Sequence, residues 1–142
     1  MKISIITICY NSEKTIEKTI RSILSQKFKN FEYIIIDGGS TDNTLKIIQK
    51  FKNSIYKIIS EKDNGIFDAI NKGINLSNGD IISLIHSDDS YYDDDVLKNV
   101  NEYFVSNSNL ECLIGTTLIK KKNSNSTFRK YNPNFFKKWM LY

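Results

Sequence analysis

The sequence predicts an α/β fold in which a mainly parallel sheet lies between layers of helices. Short apolar runs of strand length alternate along the chain with segments whose apolar residues recur at helical spacing. Residues 3–8 and 33–36 are apolar on both faces, as expected of buried parallel strands. No run reaches the roughly 18 apolar residues that would indicate a membrane-spanning helix.

The alternation predicts a definite order of elements. They are strand 2–8, helix 12–26, strand 31–37, helix 41–52, strand 55–60, helix 66–76, strand 80–86, helix 93–106 and strand 111–119. In the first helix Ile16, Ile20 and Ile23 share one face, and in the last helix Val96, Val100 and Phe104 do the same. These faces are the ones we expect to pack on the sheet.

Polar residues predict where the helices begin. Asn11 or Ser12 precedes the first helix and Ser40 or Thr41 the second, and these residue types are favoured as N-caps. The three acids at 93–95 fit the first turn of the fourth helix, where negative charge favours the helix dipole.

Composition describes one soluble domain of 142 residues, with 40% hydrophobic and 25% charged side chains. Cys9 and Cys112 lie too far apart for a C-x-x-C metal or redox motif, so we expect both to be small buried side chains. The chain starts directly with a strand pattern, which predicts a cytoplasmic protein. A net charge of +4 is weak support for nucleic-acid binding, and an anionic small molecule or a membrane surface fits equally well.

The chain after residue 119 has a different character. A polar stretch at 120–126 predicts a hairpin between strand 111–119 and residues 127–131. Residues 135–142 are rich in large apolar side chains, which usually pack against something. They could form a helix closing the domain, contact a membrane surface, or begin an element whose partner is missing.

Polar residues follow four of the predicted strands. They are Thr7 to Asn11, Asp37 to Asp42, Ser60 to Gly65, and His86 to Asp89. Each alone could be a turn or a helix cap. Because the carboxyl ends of parallel strands share one edge, where ligands bind in such sheets, the four together predict a binding site there.

The last of these strand ends carries two adjacent carboxylates, Asp88 and Asp89. Two neighbouring ionised acids repel unless a cation or hydroxyl groups lie between them. The sequence also lacks the glycine-rich motifs that hold phosphates through backbone amides. If phosphates bind here, Mg²⁺ or Mn²⁺ held by Asp88 and Asp89 is the expected substitute.

Four ordered motifs resemble those of family 2 glycosyltransferases. They are SIITICYN at 4–11, YIIIDGGSTDNT at 33–44, DNGIFDAINKG at 63–73 and SDD at 87–89. Together they extend over most of the first ninety residues, which makes the resemblance specific.

The resemblance implies a GT-A fold, a Rossmann-like α/β/α sandwich, and an N-terminal donor-binding portion. It implies a nucleotide-sugar-binding core at 1–119 and a C-terminal extension at 120–142 that starts an acceptor-side segment. The expected reaction is metal-dependent inverting transfer from a UDP- or dTDP-sugar to a surface polysaccharide or a lipid-linked saccharide. The expected location is the cytoplasm, with a peripheral contact at the inner face of the membrane also allowed.

The resemblance also assigns site residues. It places Thr7, Tyr10 and Asn11 by the base and ribose, and Asp37 on the base. Asp88 and Asp89 match the acids that serve the ribose and the metal ion, and Asp63 and Asn71 lie in the segment that borders the donor pocket. Asn71 shares a helix side with Asp68 and could equally face solvent.

The chain departs from the family pattern at two places. His86 stands where many relatives have the first acid of a D-x-D motif, and a histidine at a strand end is more often structural than a ligand. Inverting transfer also needs a general base. After Asp95 only Glu102 and Glu111 are acidic, and neither lies in a fitting motif, so no catalytic base is assigned.

Two hypotheses of function follow. The first is the donor-binding domain of a glycosyltransferase, incomplete and inactive on its own. The second is a non-catalytic nucleotide-binding or interaction module, which the missing base favours. A receiver-like signalling domain and a nucleotidyltransferase fit poorly, because Cys9 to Asn11 offers neither acids nor a glycine-rich basic loop after the first strand.

Overall fold

A computed structural model describes residues 1–115 of the chain. The elements in this range are β1 (Ile3–Cys9), α1 (Ile16–Leu24), β2 (Phe31–Asp37), α2 (Thr44–Gln49), a 3-10 turn (Lys52–Ser54), β3 (Lys57–Ser60), α3 (Ile66–Asn75), β4 (Ile81–Leu84) and α4 (Val96–Ser106). None of the helices in the described range is long and apolar enough to cross a bilayer.

The four strands form one parallel sheet in the order β3-β2-β1-β4. In the centre of the sheet Ile6 of β1 pairs with Ile34 of β2 and with Leu84 of β4. Every residue of β1 is buried, as is every residue of β2 except Phe31. The α/β class and the parallel sheet predicted from the sequence are therefore confirmed.

Helices cover both faces of the sheet and divide the core into two clusters. On one face Ile3 and Ile5 pack with residues of α1, α2 and α4, including Ile20 and Leu97. On the other face Ile6, Ile8, Ile34 and Ile36 pack with Ala69 of α3. Because all four strands are parallel, their carboxyl ends lie at one edge of this three-layer arrangement.

The helices begin later than the sequence predicts. α1 starts at Ile16 and not at residue 12, and α2 starts at Thr44 and not at 41. Their N-caps are Thr15 and Asn43, and neither makes a side-chain capping bond. The prediction that Asn11 or Ser12 and Ser40 or Thr41 are caps was wrong, because these side chains bond between loops at the sheet edge instead.

The acids at 93–95 precede α4, which begins at Val96. Asp93 accepts a hydrogen bond from the backbone N–H of Asp95 (2.9 Å), and the carbonyl of Asp95 accepts the N–H of Asn99. The acids therefore form the turn that leads into the helix, close to the predicted place.

Residues Met1–Ser106 form one compact unit, and Asn107–Tyr142 form a second, described only as far as residue 115. Residues 111–115 have no regular secondary structure, contrary to the predicted strand; 116–119, the hairpin partner 127–131 and the aromatic end 135–142 lie outside the described residues. Cys9 is buried as expected, but Cys112 is exposed, so that prediction was wrong for Cys112. The boundary at residue 119 stays a prediction.

A buried carboxylate ties the amino ends of the central strands together. Glu32 of β2 accepts hydrogen bonds from the Lys2 ammonium, the Ser4 hydroxyl (2.7 Å) and the backbone N–H of Asn78 (2.6 Å). Burial acts to raise the pKa of Glu32, but these bonds outweigh it and hold the pKa below its ordinary value. The network joins β2 to the start of β1 and to the loop before β4.

We expect Gly73→Ala to destabilise the fold by about 1–2 kcal/mol, because overpacking outweighs the better helix propensity of alanine. A Cβ at this position of α3 would lie 2.5 Å from Cγ2 of Ile6, which is buried in the sheet. Urea unfolding measures the change. Asn75→Ala, at an exposed position of the same helix, is the control and should be neutral or slightly stabilising. Equal midpoints for the two variants would contradict the prediction.

We expect Glu32→Gln to lower the free energy of unfolding by about 1–3 kcal/mol at pH 7, the range of hydrogen bonds to a charged group. Because the folded-state pKa is lowered, the carboxylate stabilises fully above its unfolded pKa, about 4.3, and loses this effect as pH falls through the folded value. The difference between wild type and variant should therefore shrink below about pH 5. Unfolding at several pH values measures it, and exposed Glu102→Gln on α4 is the control. A difference independent of pH would count against the network.

Candidate functional site

A cavity of about 800 Å³ lies at the edge formed by the carboxyl ends of the strands. Three segments contribute most of its wall: the loop after β1, the turn that leads into α3, and the loop after β4. The lining residues are 8–15, Asp42, Asp63, Gly65, Ile66, Ala69 and 86–88. The predicted edge of the sheet thus holds the cavity.

The structure brings four of the predicted site residues together on this wall. They are Tyr10, Asn11, Asp63 and Asp88. The other four predicted residues, Thr7, Asp37, Asn71 and Asp89, do not line the cavity. Of these four, Thr7 and Asp37 are buried, whereas Asn71 and Asp89 are exposed.

Tyr10 presents a free aromatic face at the end of β1. Its side chain is 61% exposed although it directly follows a fully buried strand. The next residue, Asn11, has φ 47°, in the left-handed region that asparagine tolerates better than most residues. The chain therefore turns sharply after Tyr10, and the aromatic ring stays at the cavity wall.

The loop after β1 and the loop after β2 are joined by reciprocal hydrogen bonds. The amide oxygen of Asn11 accepts the N–H of Thr41 (2.9 Å), and the Ser40 hydroxyl accepts the N–H of Asn11 (2.8 Å). Further along, Asp42 accepts the N–H of Glu13 (3.1 Å), and the Thr44 hydroxyl accepts the N–H of Ser12 (2.7 Å). These bonds use the residues that looked like helix caps.

Glu13 completes this loop pairing. Its carboxylate accepts hydrogen bonds from the backbone N–H (3.0 Å) and the side-chain amide (2.8 Å) of Asn43. These two bonds lower the pKa of Glu13, so the group is ionised at neutral pH. Glu13 and Asp42 were not among the predicted site residues, although a carboxylate shortly after each of the first two strand ends was a visible signal.

Asp37 is fully buried at the end of β2 and is saturated with hydrogen bonds. Its carboxylate accepts the hydroxyl of Ser60 (2.7 Å), the backbone N–H of Ser40 (3.1 Å), the hydroxyl of Ser40 and the thiol of Cys9 (3.6 Å). The carboxylate thus joins the ends of β1, β2 and β3. Its contact with a nucleotide base stays a prediction.

Thr7 and Cys9 occupy the same buried face of β1. The hydroxyl of Thr7 accepts a hydrogen bond from the hydroxyl of buried Tyr33 (3.1 Å). Burial, and secondarily the charge of Asp37, raises the pKa of the Cys9 thiol far above its ordinary value. Cys9 is therefore a protonated hydrogen-bond donor at neutral pH and not a nucleophile.

Asp63 lies next to two glycines, Gly38 and Gly65. A Cβ on Gly38 would lie 2.6 Å from Oδ2 of Asp63, so a larger residue at 38 would require the Asp63 carboxylate to shift. Oδ1 of Asp63 accepts the N–H of Gly65 (3.0 Å), and Gly65 has φ 106° just before α3 begins. Asp63 is thus half-buried on the cavity wall, and its place beside a bound donor stays a prediction.

In the loop after β4, the two adjacent acids Asp88 and Asp89 differ in their position relative to the cavity. Asp88 is exposed and lines the cavity, whereas Asp89 is exposed but does not line it. No hydrogen bond or ion pair among residues 1–115 occupies the Asp88 carboxylate. His86 also lies exposed on the cavity wall and not in the core, so a structural role in packing is not observed.

α1 holds this loop through Thr19, which the sequence analysis did not single out. The Thr19 hydroxyl lies 2.9 Å from the carbonyl oxygen of Ser87 and 2.6 Å from that of Asp89. The hydroxyls of Ser87 and Ser12 are 2.8 Å apart and add a second link. A polar residue inside the apolar face of a predicted helix was the only sequence signal for this role.

Asn71 and Asp68 have different environments in α3. Asn71 is exposed and away from the cavity. Asp68 accepts the N–H of Asn64 (3.0 Å) and pairs with Lys72 (3.2 Å), which also contacts Glu61. The sequence left open whether Asn71 faces the pocket or solvent, and in the structure its side chain is exposed to solvent.

The charge of the cavity wall bears on which ligands it could hold. Its lining carries four carboxylates, Glu13, Asp42, Asp63 and Asp88, and one ammonium, Lys14. In the described range no group of three or more potential ligands forms a preassembled metal site. The residues fit a divalent ion that would be shared between Asp88 and ligand phosphates, because Mg²⁺ is commonly held by one or two carboxylates together with substrate oxygens.

Sequence comparisons identify relatives of this chain. Residues 4–141 match the model of glycosyl transferase family 2. Poly-beta-1,6-N-acetyl-D-glucosamine synthase of Staphylococcus epidermidis is 35% identical over 124 residues, which are 86% of this chain and 30% of that protein. A PGL/p-HBAD biosynthesis glycosyltransferase of Mycobacterium bovis is 30% identical over 123 residues, 84% of this chain and 48% of that protein. The chain thus spans less than half of these relatives.

Solved structures show the same fold. TarS of S. aureus, residues 1–349 in complex with UDP-GlcNAc, matches with a TM-score of 0.69 at 30% identity over 75% of this chain and 32% of that one. The mannosyltransferase PcManGT of Pyrobaculum calidifontis, solved with GDP-Man and Mn²⁺, matches with a TM-score of 0.68 over 72% of this chain and 32% of that one. At 21% identity, the second shows the fold alone.

The four motifs and the parallel sheet agree with these comparisons. The fold is that of the GT-A glycosyltransferases, as the resemblance implied. The M. bovis relative is named a glycosyltransferase, and the match to the family model covers nearly the whole sequence. The chain belongs to glycosyl transferase family 2.

Proposed function

We propose that this chain is the donor-binding part of a glycosyltransferase and binds a UDP-sugar in the cavity at the carboxyl edge of the sheet. The observation that carries the proposal is the meeting of Tyr10, Asn11, Asp63 and Asp88 on one wall. Support comes from TarS, which is 30% identical and has been solved with UDP-GlcNAc and with UDP. A dTDP-sugar remains the alternative donor.

The base with its ribose and the diphosphate of the proposed ligand can be assigned to different residues of the cavity wall. The exposed ring of Tyr10 offers a stacking face for a pyrimidine base, and the hydrogen bonds between the two loops restrain the adjacent Asn11. Asp88 lines the cavity from a different segment, the loop after β4. We therefore assign the base and ribose to the side of Tyr10 and Asn11, and the diphosphate to the side of Asp88.

A divalent cation would offset the repulsion between a bound diphosphate and the carboxylates of the cavity wall. The wall carries more carboxylates than ammonium groups, so a diphosphate would meet net repulsion there. Asp88 would hold Mn²⁺ or Mg²⁺, and the ion would stabilise negative charge on the departing diphosphate. Lys14 is the one cationic side chain that lines the described wall, and it would add to that stabilisation.

The lining of the cavity supports donor binding, but none of its residues is assigned to activate an acceptor. None of the carboxylates after Asp88 in the described residues lines the cavity, and Glu102 on α4 is exposed 3.9 Å from Lys98. Inverting transfer, the polysaccharide or lipid-linked acceptor and a cytoplasmic location, with or without a peripheral membrane contact, stay predictions. The S. epidermidis synthase supports a polysaccharide product.

The non-catalytic module remains the second candidate, because no base has been assigned. Calorimetry with UDP, UDP-GlcNAc and GDP, each with and without Mn²⁺, tests donor binding by the chain. We expect uridine nucleotides to bind more tightly than GDP, and more tightly with Mn²⁺. Absence of nucleotide binding in the presence of metal would refute the donor-binding part and a nucleotide-binding module and would leave an interaction module, whereas hydrolysis of the donor would exclude the non-catalytic module.

We expect Asp88→Asn to reduce the enhancement of UDP binding by Mn²⁺ about tenfold or more, since the cation loses its protein ligand. Calorimetry with and without Mn²⁺ measures the enhancement. Asp94→Asn, at an exposed acid just before α4, is the matched control and should behave as wild type. Full enhancement in Asp88→Asn would contradict the assignment. The variant Asp89→Asn then shows which acid binds the metal, because a loss of the Mn²⁺ enhancement in this variant would assign the metal ion to Asp89.

We expect Tyr10→Ala to weaken UDP binding by about 5- to 100-fold, the range found when a base loses an aromatic stacking partner. Tyr10→Phe keeps the ring and should bind within a factor of about two of wild type. Tyr56→Ala, which removes a ring of similar exposure (59%) just before β3, is the control for general destabilisation. Equal affinity of wild type and Tyr10→Ala would remove Tyr10 from the base side.

A further inference from the structure

The side chain of Thr19 connects a buried helix face to the loop that carries Asp88. Thr19 is 1% exposed and lies between Ile16, Ile20 and Ile23 on the face of α1 that packs on the sheet. A threonine within a helix usually bonds to a carbonyl of its own helix. This one is instead within hydrogen-bond distance of the carbonyls of Ser87 (2.9 Å) and Asp89 (2.6 Å).

The two carbonyls bracket Asp88, and both lie within reach of the single hydroxyl proton of Thr19, which they share as a bifurcated hydrogen bond. The N–H of Asp89 also bonds to the carbonyl of His86 (3.1 Å), which closes a turn over residues 86–89. The hydroxyls of Ser12 and Ser87 meet at 2.8 Å and link this turn to the loop after β1. The Asp88 carboxylate itself makes none of the hydrogen bonds found among residues 1–115, and it lies at the cavity.

We propose that Thr19 is a positioning residue, which holds the turn at 86–89 so that Asp88 faces the cavity before any ligand binds. The proposal rests on the function proposed above. Thr19 neither lines the cavity nor touches the ligand, and it acts through the backbone on either side of Asp88. Its hydroxyl therefore reduces the ordering that must accompany binding at Asp88.

A purely structural role makes a different prediction. Buried hydroxyls are generally hydrogen-bonded, so losing this one should lower stability whatever the function of the loop. A positioning role adds a second effect, confined to the loop and to the ligand that Asp88 binds. The test must therefore compare Thr19 with a residue of the same helix face whose loss affects stability alone.

The experiment compares Thr19→Val, which keeps the shape and removes the hydroxyl, with Thr19→Ser, which keeps the hydroxyl. Ile23→Val shortens a fully buried side chain on the same face of α1 and is the control for stability. Two readouts are taken on the 142-residue chain: amide hydrogen exchange of the segment 84–92 without ligand, and calorimetry of UDP binding with and without Mn²⁺. Thermal midpoints are recorded for all variants.

We expect Thr19→Val to speed exchange in this segment and to reduce the Mn²⁺ enhancement of UDP binding roughly fivefold, the equivalent of one hydrogen bond. Affinity without metal should stay as in wild type. Thr19→Ser should restore both readouts. Ile23→Val should lower the midpoint without changing either readout.

Two results would overturn the proposal. Unchanged exchange in Thr19→Val would show that the hydroxyl does not hold the turn. Faster exchange with full metal enhancement would show that the hydroxyl stabilises the turn without positioning Asp88. If wild type itself shows no metal enhancement, the metal-dependent function fails, and hydrogen exchange still decides whether Thr19 restrains the loop.

Discussion

The buried carboxylate of Asp37 is the interaction on which the sheet edge depends. It receives hydrogen bonds from Cys9, Ser40 and Ser60, which belong to β1, the turn after β2, and β3. A buried charge is unfavourable unless hydrogen bonds compensate for its lost hydration. Because the donors come from three strand ends, any movement of one end would leave this charge poorly satisfied. The cavity wall is therefore built on a rigid base.

The fold was predictable because its signals are local. Alternating apolar runs and helical periods located each of the four strands and four helices of residues 1–106 to within a few residues. The helix starts were misplaced because Asn11, Ser12 and Ser40 have the chemistry of N-caps, and local sequence does not reveal a partner on another loop. The exposure of Cys112 was missed for a similar reason: an apolar run shows strand-like character but not burial.

The site was predictable in part. Motifs located Tyr10, Asn11, Asp63 and Asp88, because strand ends meet at one edge of a parallel sheet. The separation of Asp88 from Asp89 depends on a turn held by Thr19, a residue distant in sequence, so the spacing of the acids could not reveal it. Glu13 and Asp42 were missed because most of their partners are backbone N–H groups, which every sequence has.

The glycine at position 38 has a consequence beyond the geometry of its turn. The space that a Cβ would take there is filled by the carboxylate of Asp63, a residue from the far side of β3. A larger residue at 38 is therefore compatible with this cavity only if the side chain at 63 becomes smaller or moves away. Residues 38 and 63 should therefore vary together: related sequences with a larger residue at 38 should carry a smaller or displaced side chain at 63.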